Sequence, residues 1–435
     1  MQKKVTAIFD IGKTNKKFFL FDRNYNEVYR EYRQFDEIPD EDGYPSENLI
    51  SLKNWIKKTV HKILKANKYQ ITHLNFSSYG ASLVHLDADG KVLSPLYNYT
   101  KDIDSYALKS FEKKYGTLYQ FSEQTGSIQS GMLHTGMQLY WLKNTQPKLF
   151  ANIKYSLHLP QYLSYLFTKI PVSEYTSIGC HTALWDFTKK NYHDWVNKEN
   201  LNKILPPIVP SKTSFKKEID GMSLKVGVGI HDTSATLIPY LKKKKKNFVL
   251  LSTGTWSVLM NPFSKAPLNK AEIENDCNNY MKTDGTPVKS TKILLGMEYK
   301  TQIIKLSNHY KTSLNSHTSV AFDAGILKKI ENNFTYTTAW KYLASTTAPS
   351  TTTYKHNNFT FAYHQLMVEL TLEQVKKIEM LLLREPTSIE TLYVDGGFSD
   401  NTVFIALLSY YLKNMEITPT KTPLGSALGA ALIIA

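Results

Sequence analysis

Cysteine is nearly absent: Cys180 and Cys277 are the only two in 435 residues. That excludes a disulfide framework and a cysteine-rich zinc site, and fits a reducing compartment. Long apolar runs are missing too; no window approaches ~18 uninterrupted apolar residues, so no membrane span is expected. The opening "MQKKVTAIFDIG" sets basic residues before an apolar stretch, but that stretch ends at Asp10, too short for a signal peptide. The chain reads as soluble and cytoplasmic. Acidic residues are in the minority, 38 Asp+Glu against 53 Lys+Arg, and the formal charge of +15 favours anionic ligands. The lysines do not interleave with aromatics in a repeating pattern, as a nucleic-acid reader would require, so neither nucleic acid nor membrane is expected as a partner.

What is present suits a folded protein: 42% hydrophobic and 12% aromatic residues over a length that points to two domains. "VTAIFDIGKTNKKFFLFD" is an apolar run, a turn and a second apolar run, the pattern of a hairpin. Residues 47–66 place Leu49, Leu52, Trp55, Ile56, Val60, Ile63 and Leu64 at helical spacing. Residues 105–220 read as mainly helical and loop-rich. After the lysine run Lys242 to Lys246, "FVLLSTGTWSVLM" repeats the plan of the first hairpin, which suggests two halves on one template. A long helix around "YHQLMVELTLEQVKKIEMLLL", the strand-turn "LYVDGGFSDN" and the helices "TVFIALLSYYLK" and "LGSALGAALIIA" complete an α/β pattern. A like-charge run prefers water, so the lysines are expected in a solvated loop between the halves.

Four segments can carry chemistry. In "DIGKTNKK", Gly12, Thr14 and Asn15 can offer N–H and hydroxyl groups to phosphate oxygens. Asp10 can hold Mg2+, which takes only one or two carboxylates, and Lys17 adds positive charge. The same segment also serves as an ordinary hairpin turn. Gly254 and Thr255 in "STGTW", and Gly396, Gly397 and Asn401 in "DGGFSDN", have the same two readings, phosphate or ligand loop against plain turn. Three such loops acting together would clamp one nucleotide between two domains. In "GIHDTSA", Asp232 lies between a strand and a helix start, where a carboxylate acts as a general base or caps the helix. Cys180 and His181 lack partners at metal-ligand spacing and read as structural.

Together these segments resemble the FGGY carbohydrate kinases of the sugar kinase, Hsp70 and actin superfamily, and within them the rhamnulokinase subgroup. "HDTSATLIPYL" and "STGTWSVLM" are similar to that subgroup's His-Asp-Thr-Ala-Ser-Ala and Ser-Gly-Thr-Trp-Ser-Leu-Met motifs. "LPQYLSYLFTKIPVSEYTSIGCHTALWD" resembles its Met-Pro-Asp stretch followed by Ser-Glu-Tyr-Thr, and "GMQLYWLKNTQP" resembles the family signature, with Gln138 where lysine is usual. The resemblance runs from Asp10 to "PLGSALGAALI". It implies two RNase H-like, actin-like ATPase domains with the catalytic cleft between them, residues 1–243 on the sugar side and 244–435 on the nucleotide side. It also implies phosphorylation of a sugar hydroxyl by ATP with Mg2+, the acceptor being a ketose such as L-rhamnulose or L-fuculose. Asp232 becomes the base and Asp10 the magnesium-side acid. Lys13, Thr14, Asn15, Lys16 and Lys17, with Gly12, match the first phosphate loop, and Gly254 and Thr255 the second. Gly396, Gly397 and Asn401 match the adenosine pocket; Tyr79, Gly80, His231 and Thr233 match the sugar side. A homodimer is compatible with the family.

The chain departs from the pattern at several points. Lys17 stands where arginine is usual, and an ammonium cannot make the same forked contact. Ile293 falls where a rhamnulokinase has asparagine, "YNYTKDID" replaces the usual Tyr-Arg-Asp, and the stretch from 300 to 360 is short. Because the departures gather on the sugar side, a noncatalytic sugar- or nucleotide-sensing protein on the same fold is the alternative.

Overall fold

The computed structural model of the chain describes residues 2–128, 131–243, 246–343, 348–356, 358–385, 388–420 and 425–434. Its first large sheet has the order Ser214–Ile219, Met222–Gly227, Tyr69–Ser78, Lys3–Ile11, Lys16–Phe21 and Glu27–Arg33, with Ile230–His231 paired to the end of Tyr69–Ser78. Lys3–Ile11 runs parallel to Tyr69–Ser78 and antiparallel to Lys16–Phe21. The expected hairpin is therefore present. Its apolar residues are buried on both faces because both are covered by helices. Phe9, Phe18 and Ile11 pack with Trp55 and Ile56 of the helix Leu49–Lys65, whereas Ile8, Phe19 and Phe21 face Ala235, Ile238, Ala427 and Ala430 on the other side. Alternation along a strand sends neighbours to opposite faces, and both faces here are core.

The second sheet, Asn278–Met281, Pro287–Ile293, Ser257–Asn261, Phe248–Thr253, Thr391–Gly396 and Glu416–Pro419, repeats the plan: an antiparallel hairpin beside a parallel central pair. One face packs on the helix Phe359–Leu382 through Val249, Leu251, Leu259 and Val394. The other, carrying Phe248, Leu250 and Met260, meets Leu237, Tyr240 and Leu241 of the helix Asp232–Lys243. That helix thus lies between the sheets, giving Ala235 and Ile238 to the first and Leu237 to the second.

Gly425–Leu432, late in the chain, returns to lie against Asp232–Lys243 and the first sheet. The two helices approach backbone to backbone. Pro239 has no N–H, so the Ala235 carbonyl one turn earlier lacks its intrahelical donor. A Cβ on Gly429 would lie 1.9 Å from that oxygen, which is why the contact needs a glycine.

Two expectations are corrected. Residues 105–220 do form a helical block around Phe111, Tyr140 and Trp195, but Ser214–Ile219 belongs to the edge of the first sheet. The lysine run does not start as a loop: Lys242 and Lys243 complete the last turn of Asp232–Lys243, where cations suit the carbonyl end of the helix dipole. Lys242 Nζ donates to Leu432 O at 2.8 Å, and Lys246 lies 3.7 Å from Glu390. Lys244 and Lys245, with the expected boundary before 244, lie outside the described residues. Among the described residues no helix is long and apolar enough to cross a membrane.

Candidate active site

Parallel strands ending side by side bring the two acids together. Asp10 registers with Ser77 on the adjacent strand, and His231 with Ser78, so Asp10 and Asp232 emerge at the same carboxyl edge of the first sheet. Crevices at such edges are where α/β folds take ligands. Asp10 is buried, its Oδ1 accepting from Ser426 Oγ at 2.9 Å and its Oδ2 lying 4.0 Å from Lys17 Nζ. Burial raises its pKa and so does the nearby Asp232 charge, while Lys17 pulls it down. Burial likewise raises the pKa of Asp232 against the pull of Thr233 and Lys17.

Asp232 is the first residue of the helix Asp232–Lys243, and its Oδ1 accepts from Thr233 N at 2.6 Å and from Thr233 Oγ1 at 3.1 Å. Its Oδ2 has no protein partner among the described residues and is open to a proton from a ligand. His231 Nε2 lies 3.2 Å from Asp232 Oδ1 and 3.0 Å from Cys180 Sγ. Burial lowers the His231 pKa to about 3, so the contact with Asp232 joins a neutral imidazole to a carboxylate. His231 N donates to Thr176 Oγ1 at 2.9 Å, which in turn donates to Glu174 at 2.6 Å, tying the "SEYT" segment to the site.

Two hollows meet at Asp232. The smaller, about 290 Å3, is bordered by Asp10, Gly12, Thr14, Asn15, Lys17 and Ser426. The larger, about 860 Å3, is bordered by Tyr79, Gly80, His231 and Thr233 among others, and reaches across to Trp256, Tyr280 and Lys292 of the second half. The expected sugar-side residues thus share one cleft, and most of the first phosphate loop shares the adjoining hollow. A side chain on Gly80 would meet Cys180 Sγ at 2.5 Å and the His231 ring at 3.2 Å, so only glycine leaves that wall in place.

The first loop divides by strand alternation. Asp10 pairs with Lys17 and Ile11 with Lys16, so the two lysines face opposite sides of the sheet. Lys17 points to the hollow. Lys16 is 2% exposed, and its ammonium bonds Glu47 at 2.9 Å and the Lys13 carbonyl at 2.8 Å, away from the hollow. It braces the loop from beneath. Tyr79 OH donates to the same Glu47 at 3.1 Å, linking the loop to the cleft wall. Lys13 borders the large cleft and reaches Glu37 at 2.5 Å. Thr14 is exposed, and Asn15 Oδ1 accepts from Gln34 at 2.8 Å.

The second and third loops adjoin each other at the carboxyl edge of the second sheet, because Thr253 pairs with Gly396. Gly254 and Thr255 are exposed there. Gly396, at φ 84°, approaches the Thr253 carbonyl so closely that a Cβ would lie 1.8 Å from it, whereas Gly397 faces open space. Asn401 is already engaged: Oδ1 caps the helix Thr402–Tyr411 through Phe404 N, and Nδ2 donates to Tyr363 OH at 2.9 Å. Tyr240 spans the halves, donating to Asp395 at 3.1 Å.

Residue pattern alone missed several groups. Glu47 and Ser426 are distant in sequence from the acids and lysines they serve. Tyr99, Lys101 and Asp102 of the substituted "YNYTKDID" segment do border the cleft, as their departure from the pattern signalled. His181, read as structural, is also on the cleft wall, with its ring 4.7 Å from Tyr280. Gln138 braces that wall, donating to Ala81 O at 2.8 Å. Ile293 does not border the cleft; it packs on the second core, and the cleft residue of that strand is its neighbour Lys292.

Comparison with known proteins follows the same outline. Residues 5–238 match the profile of the FGGY family of carbohydrate kinases, N-terminal domain, and residues 245–435 that of carbohydrate kinase FGGY, C-terminal domain. A rhamnulokinase of Halalkalibacterium halodurans is 26% identical over 264 residues, 58% of this chain and 54% of that protein. A rhamnulokinase of Oceanobacillus iheyensis is 26% identical over 229 residues, 48% of each. The chain therefore spans about half the length of the curated relatives it matches. A carbohydrate kinase structure from Novosphingobium aromaticivorans superposes with a TM-score of 0.78 at 20% identity, covering 98% of this chain and 93% of that one, which shows that the two share a fold.

Proposed function

Because the chain belongs to the FGGY family of carbohydrate kinases, we propose that it transfers the γ-phosphoryl group of ATP to a sugar hydroxyl, with Asp232 as the base. One observation carries the reading: Asp232 borders both hollows, so a hydroxyl in the larger one and a phosphoryl group in the smaller one meet at its free oxygen. Phosphoryl transfer needs an in-line hydroxyl, a nearby base and positive or hydrogen-bonding groups around the phosphoryl oxygens.

Asp232 takes the hydroxyl proton on Oδ2. His231 and Thr233 hold the other carboxylate oxygen and so fix its aim. Lys17 and the Gly12–Asn15 turn border the phosphoryl side; Gly254, Thr255, Gly396 and Gly397 form the facing edge for the rest of the nucleotide. Asn401 serves that pocket by holding the helix start and Tyr363. Lys16 serves the first loop by holding its shape through Glu47. The sugar side is Tyr79, Gly80, His231 and Thr233. Asp10 offers a carboxylate suited to Mg2+, which favours few carboxylates and several waters. Bound there, Mg2+ would neutralise charge on the phosphoryl oxygens. Residues 1–243 and 244–435 are the sugar-side and nucleotide-side domains, and their closure excludes water, the competing acceptor.

The names of the relatives point to a ketose, with L-rhamnulose and L-fuculose the first acceptors to test. The test of the reaction is Asp232→Asn, an isosteric change that removes the base. Acceptor-dependent ADP release is expected to fall by about 10^2 to 10^4-fold, with nucleotide affinity by calorimetry retained. Equal turnover in the variant would remove Asp232 from the chemistry.

A further inference from the structure

The acceptor cleft holds three lysines, and two of them are spent. Lys13 is paired with Glu37 at 2.5 Å, and Lys101 with Asp40 and Asp42, both at 2.6 Å. Lys292 differs: among the described residues no carboxylate lies within ion-pairing distance of its ammonium. It is half-buried on the strand Pro287–Ile293, opposite Val258, with both side chains on the cleft. Its Nζ rests 5.1 Å from the centre of the Trp256 ring. Asp102, Asp232 and Asp276 border the same cleft, but among the described residues none lies within ion-pairing distance of Lys292. Burial and the Lys292 charge together keep His134 and His181 neutral, and burial keeps the Cys180 thiol protonated. Asp276 acts on Lys292 from the exposed rim without reaching it. A desolvated ammonium without a counter-ion is costly, and burial lowers the Lys292 pKa accordingly.

Resting on the kinase reading, we infer that the acceptor carries a carboxylate, seated on Lys292 and Trp256 while one of its hydroxyls lies at Asp232. The ligand class is a ketose with a terminal carboxylate, a hexuluronate, in place of the neutral deoxyketose that the relatives' names suggest. Strand alternation turns Ile293 into the core and Lys292 into the cleft, so the cleft face of this strand carries an ammonium.

The experiment compares D-fructuronate and D-tagaturonate with D-fructose, D-tagatose and L-rhamnulose in a coupled ADP assay, for the wild type and Lys292→Gln. The wild type is expected to favour the uronates by about tenfold or more in kcat/KM. Lys292→Gln is expected to erase that preference mainly through KM of the uronate, leaving KM for ATP as it was. Preference of the wild type for the neutral ketoses, or equal loss on both classes, overturns the inference and leaves the kinase reading standing. A raised KM for ATP in Lys292→Gln overturns it in favour of a phosphate contact. If no acceptor gives ADP, the kinase reading falls, and calorimetry of D-tagaturonate decides alone. Binding lost in Lys292→Gln upholds the carboxylate site; equal or absent binding in both proteins ends it. A matched melting temperature certifies that the variant is folded.

Discussion

Among the described residues, Lys17 is the one cation that acts on the pKa of both Asp10 and Asp232, and it lowers both. Burial pushes in the other direction and wins at each acid. A base must be ionised to accept a proton, so activity should fail on the acid side as pH drops through the raised pKa of Asp232. That limb lies above the ordinary aspartate range. Lys17→Met removes the opposing charge, so the limb of kcat/KM against pH should move further up; an unmoved limb would show that Lys17 does not act on Asp232. At this scale the chain was half legible. Asp10, Lys17, Asp232, Gly80 and His231 stand in segments whose residue types announce charge or close approach. Lys16 does not differ from Lys17 in type, and only the strand's alternation separates the brace from the cation that borders the smaller hollow. Asn401 offers a donor and an acceptor in principle, but both are consumed by the helix cap and Tyr363. Glu47 and Ser426 had no local signal, because their partners are 31 and 416 residues away.

Elements were more legible than their partners. The helix Leu49–Lys65 follows directly from its apolar spacing, and both hairpins from their turn residues. Pairing across long separations is not readable, so Ser214–Ile219 reads with the helical block although it lies at the sheet edge. The second sheet also hides an ion cluster that no spacing reveals. Lys289, on Pro287–Ile293, is buried with its ammonium 2.9 Å from Glu272 and 3.0 Å from Glu385. Removing a single partner from such a cluster strands the opposite charges out of water. Lys289→Met should therefore cost about 3–5 kcal/mol in urea unfolding. A loss within the range of ordinary surface substitutions would mean that water reaches the two carboxylates.

In the whole molecule, the two helices between the sheets connect everything. Asp232–Lys243 carries Asp232, the proposed base, and Gly425–Leu432 carries Ser426, which holds Asp10. Their separation is set where Gly429 meets the Ala235 carbonyl. Gly429→Ala should drive them apart, at an overpacking cost of about 1–3 kcal/mol, and lower kcat out of proportion to the fall in melting temperature. Unchanged kcat with a lowered melting temperature would show that the site does not depend on this contact. The recurrence of one template in both halves was visible in the sequence; the crossing of the last helix back to the first sheet was not, since nothing in "LGSALGAALIIA" names its partner. That crossing also bears on biosynthesis. A ribosome adding ~5–20 residues per second needs roughly twenty to eighty seconds to travel from Asp10 to Ser426, separated by 416 positions. Asp232 emerges about halfway through that interval, and from then until Ser426 is made both acids are present without the hydroxyl that holds Asp10. A message cut short before Ser426 yields a product in which Asp10 lacks that contact.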